Sequence, residues 1–374
     1  MTFPEKREAV GFRKAEALLE EGVRAKAYTA AVLLAARGEE ITFCAAAGSA
    51  RPSSIFDIAS VTKPLAASLF FALVQEGKIS PEGRVADVLP LRSRVPAADE
   101  IRFLHLLSHT SGLPAYVPFY AAIREAEENE GRRFWGTSEA HDRILDAVLS
   151  LPLEAVPGTA CVYSDPGYVL LGRALEIAAF LPLDRLLQSH LAGPIGMRDT
   201  AYLPLARMSE CETGRLISTG HSEVRQREKV GEVDDENAAA MGGIAGHAGI
   251  FSTAYDLFLF SREVLRARRG EGRVLSRPGA LRMTTKVADP AGCPRTAGWD
   301  TPGSPSGAGS QAGSRFPDGS FGHLGYTGCS LWIDPGHEAV VVLLTNRIFY
   351  GKQNDGLRIL RPKLHDAVME EMRL

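Results

Sequence analysis

Apolar runs with strand character lie near both ends of the chain, and helical patterning fills the middle. Residues 6–26 repeat apolar positions at helical spacing, which predicts an amphipathic helix. "YTAAVLLAARGEEITFCAAAG" (28–48) reads as two strands joined by a turn at Arg37-Gly38-Glu39. "SIFDIAS" (54–60) is short and extended, whereas "LAASLFFALVQEGK" (65–78) is apolar almost all round and predicts a buried helix ending at Gly77. From about 80 to 240 helical pieces alternate with loops. The segments 139–151, 166–180 and 182–193 carry helical spacing, two of them with Pro at the first helical position. Residues 212–237 are polar and read as loop. After "GGIAGHAGIFST" (242–253) comes a helix over 254–269. "FGHLGYTGCSLWID" (321–334) and "HEAVVVLLTNR" (337–347) then predict a hairpin around Asp334-Pro335-Gly336, and a last helix covers 354–372.

Strands at both ends and helices between them predict one antiparallel sheet built from both ends of the chain, flanked by helices, with a mostly helical domain inserted. A chain of 374 residues exceeds what one small core organises. The expected division is a discontinuous α/β sheet domain over 1–82 and 240–374, and a helical insert over 83–239. Residues 288–320 are rich in Gly, Pro and Ser, and a loop of that length inside a domain points to function. Its Trp299 and Phe316 are candidates for a pocket wall, the alternative being a flexible excursion.

Composition narrows the partners. Basic and acidic residues nearly balance, 42 against 45, so charge gives no reason to expect nucleic acid or a membrane surface. The first residues lack the apolar core of a secretory signal and no run is long enough to span a bilayer, so a cytoplasmic location is expected. The five cysteines are scattered without a CxxC and read as reduced thiols. The histidines form no HExxH, so no metal is expected. The glycines of 242–249 do not make a GxGxxG after a strand, and no Gly-x-Ser-x-Gly elbow occurs.

The segment "IASVTKP" (58–64) carries the strongest chemical signal. Pro64 has no N–H and belongs in a first helical turn, which places a helix start near Ser60. Ser60 could then be a simple N-cap. Three residues on, however, stands Lys63 rather than the Glu or Gln of a capping box, and a first-turn cation opposes the helix dipole. Burial in this apolar setting would lower the lysine pKa and let the amine take the serine proton. Tyr163 precedes a Pro-started helix in "CVYSDPGYVLLG" (161–172); it is either packing for that helix or part of a site. "FGHLGYTG" (321–328) spaces glycines along a strand, as a ligand or a second backbone requires on close approach, or as a bulge does.

Together these resemble the serine β-lactamase and penicillin-binding-protein superfamily, in its class C-like branch with the family VIII carboxylesterases. Ser60-Val-Thr-Lys63, Tyr163-Ser-Asp165 and His323-Leu-Gly325 match its three motifs in order and spacing, and "LLSHTSGLP" (106–114) and "GGIAGHAGIFSTAYDL" (242–257) look similar too. The resemblance implies a β-lactamase-like fold and a serine hydrolase that needs no cofactor. It implies Ser60 as nucleophile and Lys63 with Tyr163 as the proton-transfer pair, the phenolate of Tyr163 being favoured by the ammonium. It also implies an oxyanion site at the backbone N–H groups of Ser60 and Tyr326, and His323 approaching the substrate from the strand. Asp165 stands where the family usually has Asn, and Leu324 where it has Thr or Ser. With His rather than Lys at 323, the strand loses a permanent cation and a donor. A neutral ester or amide is therefore expected in preference to a β-lactam or D-Ala-D-Ala, with a D,D-peptidase, a β-lactamase or a non-turnover sensor as alternatives. His105 and His109 are expected to be structural, and His247 is a candidate for the border of the site. The charged run 124–133 reads as solvated surface.

Overall fold

The computed structural model describes residues 11–89, 96–206, 208–288, 290–303 and 310–374. Its central sheet has five antiparallel strands: β1 (Ala30–Arg37), β2 (Glu40–Gly48), β3 (Phe321–Leu324), β4 (Ser330–Asp334) and β5 (Ala339–Thr345). Their order is β2-β1-β5-β4-β3, so β1 and β5, paired from Ala31↔Thr345 to Arg37↔Ala339, join the two ends of the chain. The predicted turns at Arg37-Gly38-Glu39 and around Pro335 connect β1 to β2 and β4 to β5.

Side chains alternate across this sheet and serve two cores. Val32, Leu34, Val340 and Val342 face one; Ala31, Leu33, Val341 and Leu343 face the other. Because β1 and β5 are buried on both faces, they read as near-continuous apolar runs. Five of the helices pack on this sheet or carry the site: α1 (Arg13–Arg24), α2 (Thr62–Gln75), α3 (Asp165–Ala179), α4 (Ala254–Arg269) and α5 (Gly356–Glu371). α1 and α5 cover one face through Ala15, Leu19, Leu360, Leu364 and Val368. The Glu371 carboxylate accepts the N–H groups of Lys14 and Ala15 at 2.7 and 3.0 Å, so the far end of the chain satisfies the first turn of α1. The expected start of this helix, residues 6–10, lies outside the described residues.

The other face packs on α2 and α4, and the same core continues into α3 and the helices 138–149 and 183–187. The predicted helix over 182–193 changes to a π turn at residues 188–192. A small sheet of Phe56–Asp57, Ile250–Ser252 and Ala201–Tyr202 ties the segment before Ser60 to the glycine-rich stretch. Among the described residues no single helix is long and apolar enough to cross a membrane.

The aromatic residues Trp299 and Phe316 of the long loop pack into the two cores and do not line the cleft over Ser60. Trp299 is buried in the core, stacked on Phe260 at 5.7 Å and edge-on to Phe321 at 5.2 Å. Phe316 packs on Trp332 at 6.0 Å, on the opposite face of the sheet. Both bury large apolar rings where the cores offer area. The loop is anchored to β3 by the bridge between Asp300 and Gly322.

Candidate active site

Ser60 lies in a 3-10 turn, Ala59–Val61, that runs directly into α2. Lys63 is in the first turn of α2, and Pro64 follows where no N–H is needed. The capping reading of Ser60 fails: Val61 holds the N-cap position, and no side chain caps the helix. The Ser60 hydroxyl instead accepts from Lys63 Nζ at 3.0 Å. Ala59 has φ +47°, a region unfavourable to a residue with a Cβ, and a strained residue next to a hydroxyl is a mark of functional sites. Asp57 holds this backbone. Its Oδ1 accepts the Ala59 N–H at 2.8 Å and its Oδ2 accepts the Asp234 N–H at 2.6 Å. Burial pushes the Asp57 carboxyl up to about 7 despite those two donors.

Lys63 is fully buried. Its Nζ also donates to the His247 carbonyl at 3.2 Å, pairs with Asp165 Oδ1 at 2.8 Å, and faces the rings of Tyr163 and Tyr168 at 4.7 and 5.5 Å. The expectation of a lowered lysine pKa is corrected here. Burial works against the ammonium, but the Asp165 carboxylate, with Tyr163, outweighs it and holds Lys63 above the ordinary lysine value. Tyr163 is corrected as well. Its hydroxyl is in hydrogen-bond contact with Lys63 and Ser60, yet burial outweighs the pull of the ammonium and raises the phenol. Both shifts favour the ammonium of Lys63 and the phenol of Tyr163. Asp165 thus has a task that sequence reasoning missed, as counter-ion to Lys63; a carboxylate where Asn is usual was the available signal.

His109 shapes this group from behind. It is buried, has φ +60°, and accepts the Ser164 N–H on Nδ1 at 2.9 Å. Its ring lies 4.4 Å from that of Tyr163. Burial, with Arg295 and Lys63 nearby, keeps it neutral. Ser164 caps α3 by accepting the Gly167 N–H, so His109 orients both the helix start and the tyrosine before it. His105 accepts the Arg102 N–H and is structural, as expected.

A cleft of about 360 Å³ opens over Ser60, Tyr163, Asp165, Asp235, His247 and Tyr326. His247 reaches it because the glycine-rich loop passes tightly against α3. A Cβ on Gly246 would stand 2.2 Å from the Tyr168 carbonyl oxygen. His247 Nε2 bonds Asp235 Oδ1 at 3.0 Å, while its buried Nδ1 has no hydrogen-bond partner among the described residues. Burial opposes the charge of Asp235, but His247 and the Ala238 N–H outweigh it and hold the carboxyl down at about 2. Asp235 lies near the end of the stretch that reads as loop, and nothing in its local pattern marked it. The neighbouring Asp234 and Glu236 are engaged by Lys229 and Arg225.

The third motif is divided by the structure. β3 ends at Leu324, and Gly325 and Tyr326 lie in the turn that follows. Gly325 is there for close approach: a Cβ would stand 2.5 Å from the Ile58 carbonyl oxygen. Thr327 Oγ1 donates to the Asp57 carbonyl at 2.8 Å and locks the turn against the Ser60 segment. Tyr326 is exposed at the cleft, its ring covered by Arg347 at 4.8 Å. The N–H groups of Ser60 and Tyr326 have no hydrogen-bond acceptor among the described residues. His323 does not reach the cleft as expected. It is 2% exposed, bonded through Nδ1 to the Leu324 carbonyl, and lies behind Tyr163 with ring centroids 6.1 Å apart. Burial, with Lys63 nearby, lowers its pKa well below the usual histidine value, so it supplies no cation to an incoming anion.

The family model described as Beta-lactamase matches residues 15–361. The chain belongs to the beta-lactamase family. It is an enzyme of that family, a serine hydrolase. The chain is 32% identical over 311 residues to an N-acetylmuramyl-L-alanine amidase of Bacillus subtilis, covering 79% of this chain and 68% of that protein. It is 29% identical over 315 residues to a Salmonella typhi protein named "Putative D-alanyl-D-alanine carboxypeptidase", covering 80% and 70%. Among solved structures, EstCE1, described as a hydrolase with promiscuous acyltransferase activity, superposes with a TM-score of 0.70 at 20% identity over 95% of this chain and 97% of its own. At that identity the likeness speaks to the fold.

Proposed function

We propose that the chain hydrolyses a neutral ester or amide through an acyl-enzyme on Ser60. The observation that carries this reading is the 3.0 Å contact of Lys63 Nζ with Ser60 Oγ inside an open cleft, with Tyr163 on both groups. In the active form the Lys63–Tyr163 pair has lost one proton. It takes the Ser60 proton as Oγ attacks the carbonyl carbon. The N–H groups of Ser60 and Tyr326 receive the oxyanion. The proton then passes to the leaving alcohol or amine, and water repeats the sequence to release the acid. Which member of the pair is the base is not a separate question, since the two titrate together.

The lining of the cleft sets Asp165 and Asp235 against one lysine, Lys352, and this acidic balance supports a substrate without a carboxylate. Asp165 and Asp235 face the cleft, and neither His323 nor Leu324 offers a cation or hydroxyl from β3. The likeness to an N-acetylmuramyl-L-alanine amidase favours a second reading, cleavage of an amide or peptide-like bond by the same steps.

The test offers p-nitrophenyl esters of increasing chain length, N-acyl amino acids, a chromogenic cephalosporin and a fluorescent penicillin, and follows turnover and intact mass together. Ester or amide turnover without a lasting penicillin adduct is expected. Ser60→Ala should abolish it, and Lys63→Ala and Tyr163→Phe should each lower kcat by roughly 10²–10⁴. A cephalosporin cleaved faster than every short acyl ester, or full activity in Ser60→Ala, would overturn the reading.

A further inference from the structure

Two thiols outside the reacting groups meet beside Tyr163. Cys161 and Cys293 are 132 residues apart in sequence, yet their Sγ atoms lie 2.7 Å from one another. Cys161 stands two residues before Tyr163, in the segment that enters α3. Cys293 stands two residues before Arg295, whose guanidinium covers the Tyr163 ring at 5.0 Å. The Cys293 loop is fixed to the sheet through the bridge of Asp300 to Gly322. Cys161 is partly exposed and Cys293 is buried, so a small oxidant has a route to the pair from one side. The Cys161 hydrogen bond, together with the backbone N–H and guanidinium of Arg295, favours the thiolate at Cys293 against its burial. Neither Cys44 nor Cys329 has another Sγ in contact among the described residues.

We propose that Cys161 and Cys293 form a reversible, peroxide-driven disulfide that staples the Tyr163 segment to the Arg295 loop. The Cys293 thiolate attacks one oxygen of hydrogen peroxide. The O–O bond breaks, hydroxide leaves and is protonated to water, and Cys293 becomes a sulfenic acid. Cys161 sulfur then attacks Cys293 sulfur; the S–S bond forms, the S–O bond breaks, and the oxygen leaves as water with the Cys161 proton. Two electrons pass from the thiols to the peroxide, and a dithiol reductant reverses the change. A disulfide spans about 2.05 Å, so closing this contact displaces the sulfurs by less than an ångström in total. The site geometry is therefore kept, and the gain is resistance to unfolding, because the cross-link restrains a long loop of the unfolded chain.

The experiment titrates the full chain with hydrogen peroxide, blocks remaining thiols under denaturing conditions, and reads mass, peptide map, melting and ester hydrolysis. Alkylatable thiols should fall from five to three, with the loss of two hydrogens and one linked peptide pair carrying Cys161 and Cys293. Tm should rise by about 5 °C. Dithiothreitol should reverse both changes, and neither should occur in Cys161→Ser or Cys293→Ser. Ester hydrolysis should stay within about twofold between the two redox states. Five thiols still open to alkylation, a bond through another cysteine, or over-oxidation without a cross-link would overturn the proposal. So would a cross-link that costs more than tenfold in hydrolysis. The effect on hydrolysis rests on the role given to Tyr163, and the cross-link does not: a linked protein inactive in both redox states goes against that role and supports the thiol pairing.

Discussion

At Lys63, burial and the Asp165 carboxylate act in opposite directions, and the carboxylate prevails. Its consequence is that the proton-transfer pair must give up a proton before it can accept one from Ser60, which places the ascending limb of the pH–rate profile high. Asp165→Asn removes the opposing charge at 2.8 Å. The limb should then move to lower pH by about one unit or more, the usual effect of one close countercharge on a titrating group. The profile of kcat/KM for a p-nitrophenyl ester measures this, and an unmoved limb would show that Asp165 does not govern the pair. That Ser60, Lys63 and Tyr163 lie together was legible because the proposed chemistry asks for those residue types at that spacing. Asp165 was legible only as a departure, since its meaning depends on Nζ lying beside it. His247 was a candidate from its glycine-rich setting and does line the cleft, whereas Asp235, which depends on two loops meeting, left no local trace.

On the scale of elements, the site is assembled by close backbone approaches. The turn after β3 lies against Ile58, α3 against Gly246, and each contact admits no side-chain atom. Gly325→Ala places a methyl 2.5 Å from the Ile58 carbonyl oxygen, where backbone must move. It should lower kcat/KM by at least tenfold, because the Tyr326 N–H shifts away from the developing oxyanion, and the ordered fold should persist. Circular dichroism and ester kinetics on one sample separate the two effects; unchanged kinetics would remove that N–H from the reaction. The elements themselves were largely readable. The helix over 254–269 and the hairpin about Pro335 form where the pattern puts them. Two-residue strands such as Ala201–Tyr202 were not readable, because so short a segment has no periodicity of its own.

For the molecule as a whole, the buried His365 contributes to the response to acid. His365 is packed beneath the sheet, bonded to Ser330 Oγ and the Gln311 carbonyl. Burial, with Arg361 nearby, lowers its pKa to about 3. The unfolded chain binds a proton there below about 6.5 and the folded chain does not, so its share of stability is present above that pH and is lost as pH falls toward 3. The loss is on the order of 1 kcal/mol per pH unit between those limits. His365→Asn should be less stable at pH 7 and show a shallower decline between pH 6 and 4, read from urea midpoints across pH; an equal slope would contradict the assignment. Asp57, raised to about 7, works the other way over pH 4–7, since there the folded chain holds the extra proton. The long strands, the main helices and the sheet joining both chain ends were readable from pattern alone, and Ser60, Lys63 and Tyr163 stood out as candidates by residue type and spacing. Those follow from periodicity, turn residues and the chemical demands of a nucleophile, all of which are local or carried by residue type. The charge that Lys63 carries, the sealing away of His323 while Asp235 faces the cleft, and the contact of two distant thiols emerge only in the folded chain. Burial and proximity between remote segments fix each of these, and neither is written in a residue's own neighbourhood.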